Sequence, residues 1–151
     1  MIGIVVSRFN EDVTRALLAS CVETLKSRGI SSSFIRVVHV PGAFEIPWAA
    51  QELALTKKFD VVIALGAVLK GETSQNDHIS ASTIRHLQTV GVRTRVPVIL
   101  GVITPDTMER ALARTTGDLD RGKEAALAAI EMMRLRHKLK SRAYLKEAGG
   151  G

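Results

Sequence analysis

Two short segments carry residue types that hold polar ligands: residues 40–47 (VPGAFEIP) and 66–73 (GAVLKGET), each followed by a helical pattern. Each contains glycine, which lets a ligand approach the backbone closely, and a single carboxylate. The second segment adds the cation of Lys70 and the hydroxyl of Thr73. Such groups, together with the unpaired N–H groups at a helix start, favour phosphate binding. We therefore predict an enzyme for a small, polar, phosphorylated substrate.

Several single residues have two interpretations from the sequence. Phe9 directly follows a hydrophobic run, and its ring either fills the core or stacks on a planar ligand. Glu45 either contacts a ligand or is simply a carboxylate favoured by the dipole of the helix that it opens. Thr73 either contacts the anion or caps a helix. Arg114 and Arg121 either supply charge to the phosphate or are solvated.

Proton transfer near neutral pH points to a histidine, and His78 closely follows the second segment. A surface histidine is the alternative interpretation. None of the four histidines lies at metal-ligand spacing from another histidine or from the cysteine, so no metal site is predicted. That cysteine, Cys21, falls inside an apolar helical pattern and is interpreted as a buried thiol.

The composition indicates one globular domain over residues 1–151, of which 46% are hydrophobic. The net charge of +6 invites a nucleic-acid interpretation, but aromatic residues make up only 4% and the basic residues concentrate near the C-terminus, so no nucleic-acid partner is expected. No apolar run approaches the ~20 residues that cross a bilayer, and no signal peptide is recognisable. The lone cysteine excludes an internal disulfide and fits a reducing compartment, so we expect a cytoplasmic protein. Because no apolar run is long enough to cross a bilayer, we do not expect membrane binding.

Hydrophobic runs alternate with helical periodicity, which predicts an α/β fold: a three-layer α/β/α sandwich around a four-stranded parallel sheet. The predicted strands span residues 2–6, 34–40, 60–65 and 97–103, and the predicted helices span residues 13–25, 45–56, 74–89, 106–114 and 122–139. A polar loop is expected at 115–121 and a frayed tail at 143–151. Ligands of such sheets bind at the carboxyl ends of the strands, where both polar segments fall.

Five segments occur in the order typical of one known family. They are residues 7–10 (SRFN), 41–47 (PGAFEIP), 66–73 (GAVLKGET), 97–102 (PVILGV) and 122–126 (GKEAA). In these segments, and over about residues 2–139, the chain resembles the lumazine synthases of riboflavin biosynthesis. The resemblance implies a flavodoxin-like fold and a homopentamer with active sites between neighbouring subunits, and it leaves a decamer or a 60-subunit shell open.

The resemblance also implies a reaction without a cofactor or a metal. The family condenses 5-amino-6-ribitylaminouracil with 3,4-dihydroxy-2-butanone 4-phosphate to 6,7-dimethyl-8-ribityllumazine, releasing phosphate and water. Phe9 would stack on the pyrimidine ring, Glu72 and Thr73 would contact the phosphate, and Arg114 would reach it from the next subunit. The substrate-binding residues implied are Phe9, Asn10, Ala43, Phe44, Glu45, Val68, Leu69, Lys70, Glu72, Thr73, Leu100, Arg114 and Arg121.

Gln75 stands where the family usually has histidine. An amide does not transfer a proton at neutral pH. We hypothesise that His78, three residues further and near the same helix face, does so through a water molecule. The catalytic set predicted in this way is Gln75, His78 and Arg114.

Gln75 and the loss of an aromatic residue at Leu100 motivate an alternative, and other departures from the family pattern accompany them. Leu100 replaces an aromatic residue, and the loop at 115–121 is one residue shorter than usual, with Arg121 in place of a lysine. The N-terminal extension typical of the family does not occur in this sequence. The alternative is a weakened homologue that binds flavin-like ligands or serves as an assembly scaffold. An unrelated flavodoxin-like signalling domain is disfavoured, because residues 7–10 stand where a receiver needs an acidic cluster.

Overall fold

The computed structural model describes residues 1–141. The tail predicted at residues 143–151 lies outside the described residues. The strands are β1 (Ile2–Ser7), β2 (Ile35–Val40), β3 (Val61–Ala67) and β4 (Val98–Ile103), and the helices are α1 (Glu11–Ser27), α2 (Ile46–Leu55), α3 (Gln75–Thr94), α4 (Met108–Ala113) and α5 (Arg121–Lys140). The strands form one parallel sheet in the order β2-β1-β3-β4, so β2 and β4 are its edges.

Side chains of the central strands alternate between the two faces of the sheet, as the pleat requires. Ile63 and Leu65 of β3 pack with α1 and α5, whereas Val62 and Ala64 pack with α2 and α3. Every residue of β3 is buried, which explains its continuous hydrophobic sequence. The fold is a three-layer, flavodoxin-like α/β/α sandwich, and the predicted fold class is confirmed.

The predicted boundaries differ from the structure by a few residues. Phe34 lies in a 3₁₀ turn, so β2 begins one residue later than predicted. Glu45 ends another 3₁₀ turn and precedes α2 rather than opening it. α3 continues beyond residue 89 because Gly91 does not interrupt it. At Gly91 the helix passes close to β4: a Cβ there would lie 3.4 Å from the backbone nitrogen of Val98.

Helices α1 and α5 approach each other closely because a glycine lies at their contact. A Cβ on Gly122 would lie 2.3 Å from the carbonyl oxygen of Leu17. Beside it, the buried Asp120 accepts a hydrogen bond from the Ser20 hydroxyl and caps α5 by accepting one from the N–H of Lys123, at 3.0 Å. Cys21 is fully buried here, and burial, aided by the charge of Asp120, raises the pKa of its thiol to about 12. The buried thiol is confirmed.

Asp60 joins three chain segments at the amino ends of the strands. Its carboxylate lies 2.6 Å from the amino group of Met1, 3.1 Å from His137 Nε2 and 3.6 Å from Arg136 Nη1. Burial alone would raise the pKa of Asp60, but hydrogen bonds and charge from Met1 and His137 outweigh it and hold the pKa below its usual value. No helix within residues 1–141 is long and apolar enough to span a bilayer.

Candidate active site

A cavity of about 310 Å³ opens where β1, β2 and β3 reach their carboxyl ends. The residues that line it come from the loops after these strands and from the first turns of α3: Phe9, Asn10, Gly42, Ala43, Phe44, Glu45, Ala67, Val68, Leu69, Asn76 and Ile79. Seven of the predicted substrate-binding residues are therefore brought together: Phe9, Asn10, Ala43, Phe44, Glu45, Val68 and Leu69. Their common origin is the edge at which parallel α/β sheets bind ligands.

The Phe9 ring is presented to this cavity and is not a core side chain, since 67% of the residue is exposed. The N–H groups of Arg8 and Phe9 donate to the carbonyl oxygen of Pro41, at 3.1 and 3.0 Å, and so join the loops after β1 and β2. The ring lies against Gly42, where a Cβ would come within 2.7 Å of Phe9 Cδ2. A planar ligand could therefore stack on the exposed face of a ring whose other side is supported.

Asn10 and Glu45 hold the loops in place. Asn10 adopts a left-handed conformation with φ of 60°, and its Nδ2 donates to the carbonyl oxygen of Ala67 at 2.8 Å. This bond joins the start of α1 to the end of β3. Glu45 Oε2 accepts a hydrogen bond from the N–H of Gly42 at 2.9 Å. Both side chains thus shape the cavity by holding backbone groups of the loops that line it.

The loop between β3 and α3 forms the remaining wall. The N–H of Val68 donates to Ile103 O at 2.9 Å, and the N–H of Lys70 donates to Pro105 O at 3.1 Å. Asn76 Nδ2 donates to Leu69 O at 2.7 Å. Asn76 was not among the residues predicted from the sequence. The sequence pattern that could have identified Asn76 is an amide side chain in the first turn of a predicted helix, five residues after Gly71.

A second cavity of about 540 Å³ adjoins the first and shares Phe44 and Ile79 with it. Thr73, Gln75 and His78 line this cavity, so the structure brings the predicted catalytic residues Gln75 and His78 to one surface of α3. Lys70 faces a third, polar cavity with Asp77 and Asp106, and that cavity shares Val68, Leu69 and Asn76 with the first. Glu72 is exposed and lines none of these three cavities.

Three predicted residues lie elsewhere on the described chain. Leu100 is 51% exposed on the edge strand β4. Arg114 is half-buried at the end of α4, where its carbonyl oxygen accepts a hydrogen bond from the N–H of Arg121 at 2.8 Å. Arg121 forms an ion pair with Glu124 at 2.5 Å. Within residues 1–141, none of the three lines the cavity beside Phe9.

The family model of 6,7-dimethyl-8-ribityllumazine synthase matches residues 1–137. The chain belongs to the lumazine synthase family. Membership supports a lumazine synthase activity in general, which is that of a transferase in riboflavin biosynthesis. Residues 1–141 contain no group of three or more histidine, cysteine, aspartate or glutamate side chains placed to hold a metal ion.

The cavity beside Phe9 combines an exposed aromatic ring with a glycine-containing loop. The chain has a glutamine and a histidine, rather than two histidines, in the adjoining cavity. The arginines that would compensate a phosphate lie outside the cavity on the same chain. One copy therefore forms the cavity beside Phe9 but does not bring Arg114 or Arg121 into it.

Proposed function

We propose that the protein condenses 5-amino-6-ribitylaminouracil with 3,4-dihydroxy-2-butanone 4-phosphate to 6,7-dimethyl-8-ribityllumazine. The observation that carries this proposal is the Phe9 ring, 67% exposed and supported by Gly42 at the carboxyl edge of the sheet. It suits a planar pyrimidine. Family membership supports the same reaction class.

Binding explains most of the chemistry. Asn10, Ala43, Glu45 and the backbone around residues 68–69 would hold the ring and its ribityl chain, with Phe44 beside them. The 5-amino group adds to the ketone carbonyl and one water leaves; phosphate is then eliminated to an enol that tautomerises to a second carbonyl. The ribitylamino nitrogen closes the ring on that carbonyl, and a second water leaves. These steps need two substrates held in register more than a strong nucleophile, so proximity supplies much of the rate enhancement. No cofactor or metal takes part in this proposal.

His78 is proposed as the proton-transfer group, acting through a water molecule. Support comes from its position in the same cavity as Gln75, on consecutive turns of α3. His78→Ala should lower kcat by about tenfold or more, within the range of general acid–base effects. The role would be rejected if Gln75→His raised kcat strongly while His78→Ala left it unchanged.

The proposed site is shared between copies of the chain in a homopentamer. The Glu72–Thr73 side of the phosphate site would come from one copy, and Leu100, Arg114 and Arg121 from the next. A groove of about 650 Å³ supports self-association: it lies beside the start of β4, between α3 and α5, and is lined mostly by apolar side chains. Trp48 on α2 is 68% exposed and adds a second apolar surface. Uncovered apolar surfaces of this kind mark interfaces. A decamer or a 60-subunit shell would be built from the same ring.

Mixing two inactive variants tests the shared site. Phe9→Ala and Arg114→Ala should each lose about 100-fold or more in kcat/KM. Refolding them together in equal amounts should restore about one site in four, since a head-to-tail ring then places an intact Phe9 beside an intact Arg114 at that frequency. Each variant refolded alone is the control. A mixture no more active than its parents, or a monomer by light scattering, would refute the shared site.

The second candidate function is a weakened homologue that binds flavin-like ligands or acts as a scaffold. Gln75 in place of a histidine and Leu100 in place of an aromatic residue favour it. Product formation no faster than the uncatalysed reaction, with a flavin-like ligand still bound, would establish this second function. We also propose that residues 1–151 form one domain and that the protein acts in the cytoplasm, where a lone thiol stays reduced.

A further inference from the structure

Asn76 holds the loop between β3 and α3 by a side-chain hydrogen bond. Its Nδ2 donates to Leu69 O at 2.7 Å, and the side chain lies between the cavity beside Phe9 and the polar cavity beside Lys70. Within residues 1–141, this is the side-chain hydrogen bond that reaches the loop of residues 68–74. The reaction proposed above does not use it directly.

The peptide group between Leu69 and Lys70 is held by hydrogen bonds at both its oxygen and its N–H, an arrangement that we call the clamp. The Leu69 carbonyl and the Lys70 N–H belong to one planar trans peptide, so they point in opposite directions. Asn76 holds the oxygen, and Pro105 O accepts the N–H at 3.1 Å. A peptide held at both ends cannot rotate about its flanking bonds without losing a hydrogen bond. Its orientation determines where the chain goes next, into residues 71–73.

Gly71 extends the same contact. A Cβ on Gly71 would lie 3.2 Å from Asn76 Nδ2, so the amide packs directly over the glycine. Residues 71–73 are exposed, and the next backbone anchor is Ser74 O, which accepts the N–H of His78 at 3.1 Å. The exposed segment that would face a phosphate is thus fixed by α3 on one side and by the clamped peptide on the other.

We propose that Asn76 is a positioning residue: by clamping the Leu69–Lys70 peptide it holds residues 71–73 in the conformation that binds the phosphorylated substrate. This inference rests on the proposed function. In this role Asn76 acts through the peptide that it holds and not on the substrate itself. Its loss should raise KM for the phosphorylated substrate by about tenfold, with a smaller fall in kcat, because a misplaced binding segment weakens positioning first.

Asn76→Asp is the sharpest variant, since the two side chains have the same shape. An ionised carboxylate cannot donate to Leu69 O and repels it, whereas the protonated acid can donate. Near pH 8.5, where the carboxylate is ionised, the ratio of variant to wild-type kcat/KM should therefore be about one tenth or less. The ratio should rise as the pH falls toward about 5.5, because a carboxyl group that faces a carbonyl oxygen takes up a proton more readily. Gln51→Glu on the exposed side of α2 makes the same chemical change elsewhere and should keep a flat ratio.

Asn76→Ala separates the clamp from a simple charge effect. It is neutral, so it should lose substrate affinity at every pH if the clamp matters, and should behave as wild type if only charge matters. Hydrogen exchange of the Lys70 amide should be faster in this variant than in the wild type, independently of activity. Unchanged exchange in Asn76→Ala, or a pH-independent ratio in Asn76→Asp, would overturn the inference. A wild type without condensation activity would instead remove the proposed function, and the exchange rate alone would then decide the clamp.

Discussion

The support that Gly42 gives to Phe9 can be tested by adding one methyl group. A Cβ at position 42 would lie 2.7 Å from Cδ2 and 3.0 Å from Cε2 of the Phe9 ring. Carbon atoms in contact lie about 3.5–4.0 Å apart, so the ring of Gly42→Ala has to move by about 1 Å. Gly42 has φ of −135° and ψ of 177°, which alanine adopts freely, so the backbone adds no strain.

The displacement should reduce activity far more than stability. Phe9 is largely exposed, so its ring can move into the cavity without opening the core. A shift of about 1 Å in a substrate-positioning group costs up to about 100-fold in rate, and we expect kcat/KM to fall by about 10- to 100-fold, or about 1.4–2.7 kcal/mol. Steady-state formation of the lumazine product, together with urea unfolding, measures both quantities.

A double-mutant cycle then assigns the loss to the ring. In a Phe9→Ala background the methyl group has no ring to displace, and Gly42→Ala should reduce kcat/KM by less than about twofold, mainly through Glu45 Oε2 at 3.1 Å. Phe34→Ala is the matched control, because that ring is 57% exposed at the opposite end of the sheet. Additive losses from Phe9→Ala and Gly42→Ala, or a Gly42→Ala enzyme within twofold of wild type, would show that the ring is not supported in this way.

Three further predictions concern stability and reactivity. Gly122→Ala should lower the free energy of unfolding by about 3 kcal/mol, since its methyl group would lie 2.3 Å from the Leu17 carbonyl oxygen. Gly91→Ala is the control: its nearest atom lies at 3.4 Å, so it should be neutral or stabilise the protein by up to about 1 kcal/mol. The midpoints of urea unfolding measure both effects, and equal midpoints for the two variants would contradict the prediction. Because burial raises the pKa of Cys21 to about 12, the folded protein should not react with a thiol reagent at pH 8 and should bind one equivalent after unfolding; rapid reaction of the folded protein would contradict this. The pKa of Asp60 is lowered in the folded state, so its contribution to stability is present above the unfolded pKa and is lost as the pH falls through the folded one. Wild type should therefore lose stability more steeply below about pH 4 than Asp60→Asn does, and parallel curves would contradict the assignment.

The fold could be predicted because its determinants are local in the sequence. β3 is buried on both faces and reads as an uninterrupted hydrophobic run, and α1 shows its buried positions at spacings of three and four. Boundaries were less accurate where tertiary contacts overrode local preference. Gly91 lowers helix propensity by about 1 kcal/mol, but α3 packs against β4 around it and continues to Thr94.

The cavity could be predicted for a similar reason, because residues that follow parallel strands converge on one edge of the sheet. Phe9, Ala43 and Val68 needed only their place after a strand to be brought together. What sequence reasoning lacked was the direction of individual hydrogen bonds. That Glu45 accepts from Gly42, and that Asn76 donates to Leu69, depends on side-chain rotamers chosen by packing.

Leu100, Arg114 and Arg121 show a different limit. All three lie on the β4–α4–α5 side of the chain, away from the Phe9 cavity, and so cannot be assigned to that cavity from one copy of the fold. Within residues 1–141, Arg121 pairs with Glu124, and neither Arg114 nor Leu100 lines the three cavities described above. In the proposed homopentamer, Arg114 and Arg121 of one copy would contact the phosphate side of a neighbour's cavity, and the apolar groove beside the start of β4 supports self-association separately. The proposed shared site would supply the positive charge that the cavity lacks on one chain, and the mixing of Phe9→Ala with Arg114→Ala tests that proposal.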